Sequence, residues 1–533
     1  MTMQSKNNIS VFILLLIALS IRLYGILQKQ NFSSDESNSF ITITNNVKNL
    51  YTIISDKKYP YGNIVSPQEW YKQLYNIREP LNLIKLKNEI PDNISPLYYW
   101  LLHIVFVLFG VNLYNGLFFN LLIYVGIFIL TYKLSKKVFS SIYESLFALI
   151  LLSFSYAALQ FNFEARQHGL VALISLFYFY YVFYVLFEKQ RISLQNILII
   201  ILLTMLGTLT LITFIFPVFI VCCIILISCR FNFKNINLWK ISLSSLSGII
   251  LSEIIYPLLT RTSSIADNYK AIEIRNFKSN FLFMYLTKIK IVISYFFQFF
   301  SYNQLIVYAM IILFGTIFIV LFIRYVRKNK SIKNIHLHWI EAINIFWVFA
   351  LLIMGTLYVL SLIPPTAVGE QYYMFIYPFF AISIIYAINK IGIKEKLKTS
   401  LKITLSVLVI AGGITSYSKS YYLKSFIIEK KEFNALINTC DLIVIRCFSV
   451  DDFGRLVTQI LPQNSKVLFI TNEPLDNYIH QNNFKRIAVF NFCKDQSKVP
   501  EQIPNYKYLE YQFNSEFNSN YNKRVIHIYS ILK

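Results

Sequence analysis

Carboxylates are scarce in this chain of 533 residues, and their positions are informative: of 27 Asp and Glu, 16 precede residue 419. Four stretches collect the residues able to do chemistry. In Asn31-Phe32-Ser33-Ser34-Asp35-Glu36-Ser37, two adjacent carboxylates follow an apolar segment closely. A carboxylate just above a membrane can take a proton from an incoming hydroxyl or amine; an ordinary solvated loop pair reads the same way. In Gln160-Phe161-Asn162-Phe163-Glu164-Ala165-Arg166-Gln167-His168-Gly169, a tight connection between two apolar segments holds Glu164, Arg166 and His168 together. Charged groups at membrane depth are costly and tend to mark sites. Arg166 suits either planar, two-pronged contact with a phosphate or pairing with Glu164. In Pro364–Tyr373, Glu370, Gln371 and Tyr372 open an apolar segment, where a carboxylate also suits a helix N-terminus. In Pro91–Trp100, Pro96 opens a helix, and Tyr98, Tyr99 and Trp100 are residues of a membrane interface. His103 follows and reads as a packed side chain. Arg261, Lys270, Arg275 and Lys278 read as lipid-phosphate contacts or as solvated loop charge.

The elements that must position these residues are set by hydropathy. The chain is 56% hydrophobic and 14% charged, against about 25% charged in an average soluble domain. Its mean hydropathy is +0.52. That excludes a soluble enzyme, a disordered scaffold and a disulfide mini-protein, and implies a polytopic membrane protein. Apolar runs of spanning length fall near 11–27, 116–132, 143–160, 169–187, 194–211, 213–229, 240–257, 304–323, 340–362, 371–390 and 400–418. The run Pro96–Gly110 is short and suits an interfacial helix. If it does not cross, and the N-terminus is cytoplasmic, the clusters Lys133/Lys136/Lys137, Lys189/Arg191, Arg230/Lys234/Lys240, Arg324–Lys333 and Lys390–Lys398 all lie inside. The positive-inside rule prefers this topology of eleven spans. Val11–Leu27 carries Arg22 and no small-residue cleavage site follows, so it reads as a retained first span.

The net charge of +23 is accounted for by these basic loops, with an anionic lipid substrate as the other reading and no nucleic-acid partner expected. Cys222, Cys223 and Cys229 read as helix packing. Cys440, Cys447 and Cys493 lie in the polar tail; no spacing resembles a zinc site, and no metal or cofactor is expected.

The outer face then holds residues 28–115, residues 258–303 with an aromatic stretch at Tyr295–Tyr302, and the tail. The expected division is a transmembrane domain over 1–418, including 28–115 as its first outer loop with interfacial helices, and a small α/β domain over 419–533. Short β-branched runs at Leu442–Arg446, Lys466–Thr471, Arg486–Phe490 and Val525–Ile531 predict strands. Helices fit Lys419–Ile437, Asp451–Ile460 and Leu475–Gln481.

Ile21-Arg22-Leu23-Tyr24-Gly25 followed by Asp35-Glu36 resembles the start of membrane glycosyltransferases of the GT-C class. The branch it resembles is the protein O-mannosyltransferase and lipid A aminoarabinose transferase superfamily. Ser95-Pro96-Leu97-Tyr98-Tyr99 is similar to that family's proline–leucine–tyrosine helix, and Glu164-Ala165-Arg166-Gln167-His168-Gly169-Leu170 to its Glu-Ala-Arg-x-Tyr turn. The match spans roughly residues 10–190, with a weaker echo at 371–378. Each motif is short; their order and shared outer placement carry the resemblance. It implies an inverting transferase with the GT-C fold, taking a sugar from a polyprenyl-phosphate donor to an extracytoplasmic lipid, glycan or protein. It implies Asp35, beside Glu36, as catalytic base or acceptor-orienting group, and Arg166, His168, Tyr98, Gln371 and Tyr372 as donor and phosphate contacts. No metal is required. The family often has Tyr at His168 and Arg at Gln371; the second departure leaves a phosphate role to another basic residue, Arg22 or one of the 258–278 set.

Three other classes compete, one of them a non-catalytic envelope protein whose tail binds partners. A transporter or flippase of lipid-linked glycans would show repeated halves or broken helices with midplane polar residues. A polymerase or ligase would concentrate its site in one late outer loop. The triplets Asn31-Phe32-Ser33 and Asn93-Ile94-Ser95 would risk glycosylation in a eukaryotic lumen. They favour a bacterial inner membrane, with the site and the tail facing the periplasm.

Overall fold

A computed structural model describes residues 3–29, 34–44, 46, 53, 56–77, 90, 95–189, 192–228, 236–257, 286–293, 299, 338–360, 370–418, 437–446, 465–470, 475–479, 484–491, 506–513 and 524–531. The chain forms two compact units. One is Met1–Leu27, Pro91–Tyr98 and Leu117–Ser418; the other is Gln28–Ile90, Tyr99–Gly116 and Lys419–Lys533.

The first unit is helical. In chain order its helices are α1 (Met3–Gln28), which ends just beyond the unit, then the start of α4 (Leu97–Phe109) and most of α5 (Leu113–Val138). There follow α6 (Ile142–Phe154), α7 (Tyr156–Gln160), α8 (His168–Tyr184), α9 (Leu194–Thr210), α10 (Ile215–Ser228), α11 (Ile236–Ile255), α12 (Trp339–Leu360), α13 (Tyr377–Lys390) and α14 (Glu395–Ser418). Among the described residues, seven helical stretches are long and apolar enough to cross a membrane, at 8–28, 114–138, 168–189, 236–255, 339–356, 373–390 and 395–415. The runs at 194–210 and 212–228 form shorter apolar helices. The run at 304–323 lies outside the described residues. Leu97–Phe109 is likewise a short apolar helix.

One run departs from its hydropathy profile. Residues 143–160, read as a single span, break at Ser155, where α6 and the helix that follows bend by 59°. Ser155 is extended (φ −61°, ψ 143°) and caps both sides. Its hydroxyl donates to the Leu152 carbonyl at 3.0 Å and accepts from the Ala158 amide at 3.4 Å, while its own amide bonds the Leu151 carbonyl at 3.2 Å. Serine makes such local bonds in place of the helix ladder. Helix α14 passes against this break so closely that a Cβ on Gly413 would run into the Phe154 carbonyl. Lower on the same pair, Lys402 of α14 bonds Glu144 of α6 at 2.6 Å.

The second unit is an α/β domain with six strands among the described residues: β1 (Ile64–Val65), β2 (Leu442–Arg446), β3 (Val467–Ile470), β4 (Arg486–Asn491), β5 (Tyr506–Phe513) and β6 (Arg524–Ile531). Their order is β1-β3-β2-β4-β6-β5. Strand β2 is parallel to β3 and β4, β1 lies antiparallel on β3, and β6 pairs antiparallel with β4 and β5. The Asp441 carboxylate accepts from the Lys485 and Arg486 amides at 2.7 and 3.0 Å, which sets β4 against β2. One face buries Leu442, Val444, Leu468, Ile470, Ile487 and Val489 under Leu475 and Phe484. On the other, Phe469 meets the rings of Tyr61 and Trp70 edge-on at 5.7 and 5.5 Å. Burial on both faces explains why these strands read as continuous apolar runs.

Trp70 and Tyr61 come from the 28–115 segment, as does β1. The loop that the sequence assigns to the transmembrane domain thus supplies a strand and a covering helix to the tail's sheet. That helix, α3 (Pro67–Tyr75), starts at Ser66, whose side chain accepts from the Glu69 amide, with Pro67 at its first position. It buries Pro67, Trp70, Leu74 and Tyr75. Strand β5 was not among the predicted strands. Of the predicted tail helices, Leu475–Gln481 is present as α15 (Asp476–Ile479), and those at Lys419–Ile437 and Asp451–Ile460 lie, but for Ile437, outside the described residues.

Gly413→Ala should lower the thermal unfolding midpoint in detergent, because the new methyl meets backbone rather than a movable side chain. The expected cost is that of an overpacked core, about 1–3 kcal/mol. An unchanged midpoint would show that α14 has room to shift.

Candidate functional site

The break at Ser155 sets the geometry of the Glu164–His168 turn. A helix that stops inside an apolar domain leaves its last carbonyls without partners. Here Arg22, fully buried on α1, answers them. Its Nη2 donates to the carbonyls of Ser153 (2.9 Å) and Ala158 (3.4 Å), Nη1 to its own helix at Ala18 (3.1 Å), and Nε to Asn162 Oδ1 (2.7 Å). The guanidinium lies 3.5 Å from the centre of the Tyr124 ring, whose hydroxyl donates to Ser153 Oγ at 2.8 Å. Arg22, a candidate phosphate contact by sequence, is therefore held in internal contacts.

Beyond the break the chain forms α7, a tight helical turn at Phe161–Phe163, and an extended Glu164. The Arg166 amide closes back on the Glu164 carbonyl at 2.8 Å, and α8 starts at His168. Glu164, Gln167 and His168 are buried, and Arg166 is half-buried. The Arg166 guanidinium is an electrostatic neighbour of the His168 ring. Gly169 lets the turn close: a Cβ there would stand 3.0 Å from the Phe161 ring. Gln160 Oε1 and Gln167 Oε1 are buried acceptors with no hydrogen-bond partner among the described residues. Neither glutamine stood out in the sequence, since nothing in their spacing announces burial.

The segment Glu370–Ile376 is a tight helical stretch packed against α8 and α7, with Tyr373, Met374, Phe375 and Ile376 buried. The segment that carries Gln371 and Tyr372 thus packs on the helix that His168 begins; the side chains of both residues lie outside the described set. Tyr98 is fully buried, and its hydroxyl donates to Asn120 Oδ1 at 3.0 Å.

In the second unit, Asp35 falls in the first turn of α2 (Ser34–Ile43), its side chain outside the described set. Glu36 is fully buried and accepts from Lys29 Nζ at 2.7 Å on both carboxylate oxygens; Lys29 is buried as well. The pair buries the two charges together, where removing either partner is costly. Nearby, the hydroxyls of Ser39 and Tyr99 are 3.2 Å apart, and His103 Nδ1 lies 2.5 Å from the Ile43 carbonyl, a packed histidine. Burial pushes the Cys440 thiol up, against a smaller lowering by Arg486, so it stays protonated at neutral pH. Among the described residues no three His, Cys, Asp or Glu gather as a metal site would need. Arg261, Lys270, Arg275 and Lys278 lie outside the described residues, as do Pro364–Gly369.

No protein-family model matches the chain, and no curated protein sequence does. Among solved structures, the chain is similar to ArnT from Cupriavidus metallidurans, crystallised bound to undecaprenyl phosphate. The two share 8% identity over 98% of each chain, with a TM-score of 0.48.

Lys29→Met alone should be strongly destabilising, by about 3–5 kcal/mol, since it strands a buried carboxylate. The Lys29→Met/Glu36→Met pair should recover most of the loss in unfolding midpoint. If the double variant is no more stable than the single one, Glu36 has another buried partner or function.

Proposed function

We propose that this protein is a multi-pass membrane glycosyltransferase of the GT-C class. It moves a sugar from a polyprenyl-phosphate donor to an acceptor outside the cytoplasm, with inversion at the anomeric carbon. The observation that carries the reading is the Glu164–His168 turn: a polar, tightly folded segment with a half-buried cation inside an apolar helical unit. Such groups are costly there without a function.

In this reading Arg166 contacts the donor phosphate, a role suited to its planar fork of donors. His168, Tyr372 and Gln371 belong to the same donor region, while Tyr98 acts on it from within the fold. Gln160 and Gln167 offer amide oxygens to sugar hydroxyls. Asp35 accepts the acceptor's proton as its oxygen or nitrogen attacks the anomeric carbon and the polyprenyl phosphate departs. Glu36 keeps the local fold through Lys29. A phosphate is already a good leaving group, so positioning and charge stabilisation supply most of what the protein must add. The topology that fits is N-terminus inside, with the turn and the α/β domain outside, in a bacterial inner membrane. The acceptor is a lipid, a glycan or a protein.

One observation favours the transporter reading: the broken helix at Ser155. Interrupted helices line the substrate sites of many transporters. Here, however, carbonyls at the break are occupied by Arg22.

The test is a donor assay. Detergent-purified protein is offered a panel of polyprenyl-phosphate sugars with membrane extract as acceptor, and donor loss is followed by mass spectrometry. The wild type should consume one donor, and a folded Asp35→Asn protein should lose at least a hundredfold in rate, on the order expected for a missing general base. Consumption of no donor by a folded wild type would move the assignment to the transporter.

A further inference from the structure

The residues that hold the Glu164–His168 turn in place include one that neither the sequence motifs nor the proposed reaction uses. Asn120 sits on α5, is buried, and bonds the turn at two points. Its Nδ2 donates to the carbonyl of Phe161 at 3.3 Å and to that of Glu164 at 2.5 Å. Its Oδ1 accepts from the Tyr98 hydroxyl at 3.0 Å, and its backbone carbonyl accepts from Asn162 Nδ2 at 3.1 Å. Asn162 is in turn held by Arg22 Nε at 2.7 Å.

The direction of these bonds matters. An amide can be placed either way round, and only its hydrogen-bond network decides which. The Tyr98 hydroxyl can donate or accept, whereas the two carbonyls of the turn can only accept. They therefore require Nδ2, and Tyr98 completes the arrangement by donating to the oxygen left over. The Glu164 carbonyl also receives the Arg166 amide at 2.8 Å, so the atom that Asn120 holds is the one on which the Arg166 backbone is folded. Asp at this position would keep the acceptor for Tyr98 but turn an anionic oxygen toward two carbonyls. Phe at position 98 would leave the turn bonds in place and remove only the group that orients the amide.

The geometry points to Asn120 as a positioning residue for the donor site, with Tyr98 as the group that orients it. Together they fix the backbone from which Arg166 reaches the phosphate of the polyprenyl-phosphate donor. This rests on the donor-contact reading of Arg166. The effect belongs to donor binding and not to the acceptor, because the atoms held are those of the turn.

The experiment measures donor and acceptor KM, kcat and the unfolding midpoint for full-length wild type, Asn120→Asp, Tyr98→Phe, Arg166→Ala and Asn120→Asp/Arg166→Ala. The expected result is a donor KM raised about tenfold or more in Asn120→Asp, which loses both bonds to the turn, and less in Tyr98→Phe, with acceptor KM unchanged. In the Arg166→Ala background, Asn120→Asp should raise donor KM no further, because residues acting as one unit are non-additive. A merely structural role predicts losses that multiply and that touch acceptor KM and stability alike; that result overturns the inference. If Arg166→Ala raises donor KM while Tyr98→Phe and a folded Asn120→Asp do not, the inference fails and the donor reading stands. If Arg166→Ala leaves donor KM unchanged, the donor reading itself fails and the inference falls with it. Should Asn120→Asp not fold, Tyr98→Phe decides alone: an unchanged donor KM overturns the inference.

Discussion

The structure of the helical unit depends on one constraint, that backbone polar groups in an apolar surround must be satisfied from within. The break at Ser155 violates the simplest way of doing so, and the Arg22 guanidinium repairs it. One side chain from the first helix supplies donors to carbonyls on either side of the break, to Asn162 beyond it, and its face to Tyr124. The alternative, a straight helix over 143–160, would satisfy its own carbonyls but would not turn the chain at this point. Broken here, the chain runs into the compact turn in which Arg166 and His168 stand.

The same logic governs two other charged pairs. Lys402 lies against Glu144, and Lys29 against Glu36, each at hydrogen-bonding distance. Such pairs repay little net stability, since their desolvation offsets their attraction, but removing one partner is costly. They act as fixed joints. Arg22 spreads its charge over carbonyl oxygens, an amide and an aromatic face. A rigid scaffold of this kind suits a reaction whose catalysis lies in positioning.

Much of this was legible in the residues. Hydropathy set the helices, because a membrane span must be long and apolar. The central strands were readable at Leu442–Arg446 and Arg486–Phe490 because parallel strands buried on both faces leave unbroken β-branched runs. Strand β1 was not readable: two residues, Ile64 and Val65, acquire strand geometry only by pairing with Leu468 and Val467, four hundred residues away. Nor was the bend at Ser155, since serine is common inside apolar helices and hydropathy does not change across it. The burial of Glu36 against Lys29 was not readable either, since nothing in the spacing of the two announces it. Asn120 was invisible because a lone asparagine in an apolar run carries no spacing signal, and its importance appears once its bonds are seen.

The central claim is that the Glu164–His168 turn is where a lipid-linked phosphate binds. Native mass spectrometry on the detergent-purified full-length protein tests it most directly, with polyprenyl phosphate and the matching polyprenol, which lacks the phosphate, as probes. The account predicts that wild type retains polyprenyl phosphate in preference to polyprenol and that Arg166→Ala abolishes the preference. Equal retention of both lipids by wild type, or a preference untouched by Arg166→Ala in a folded protein, would contradict it.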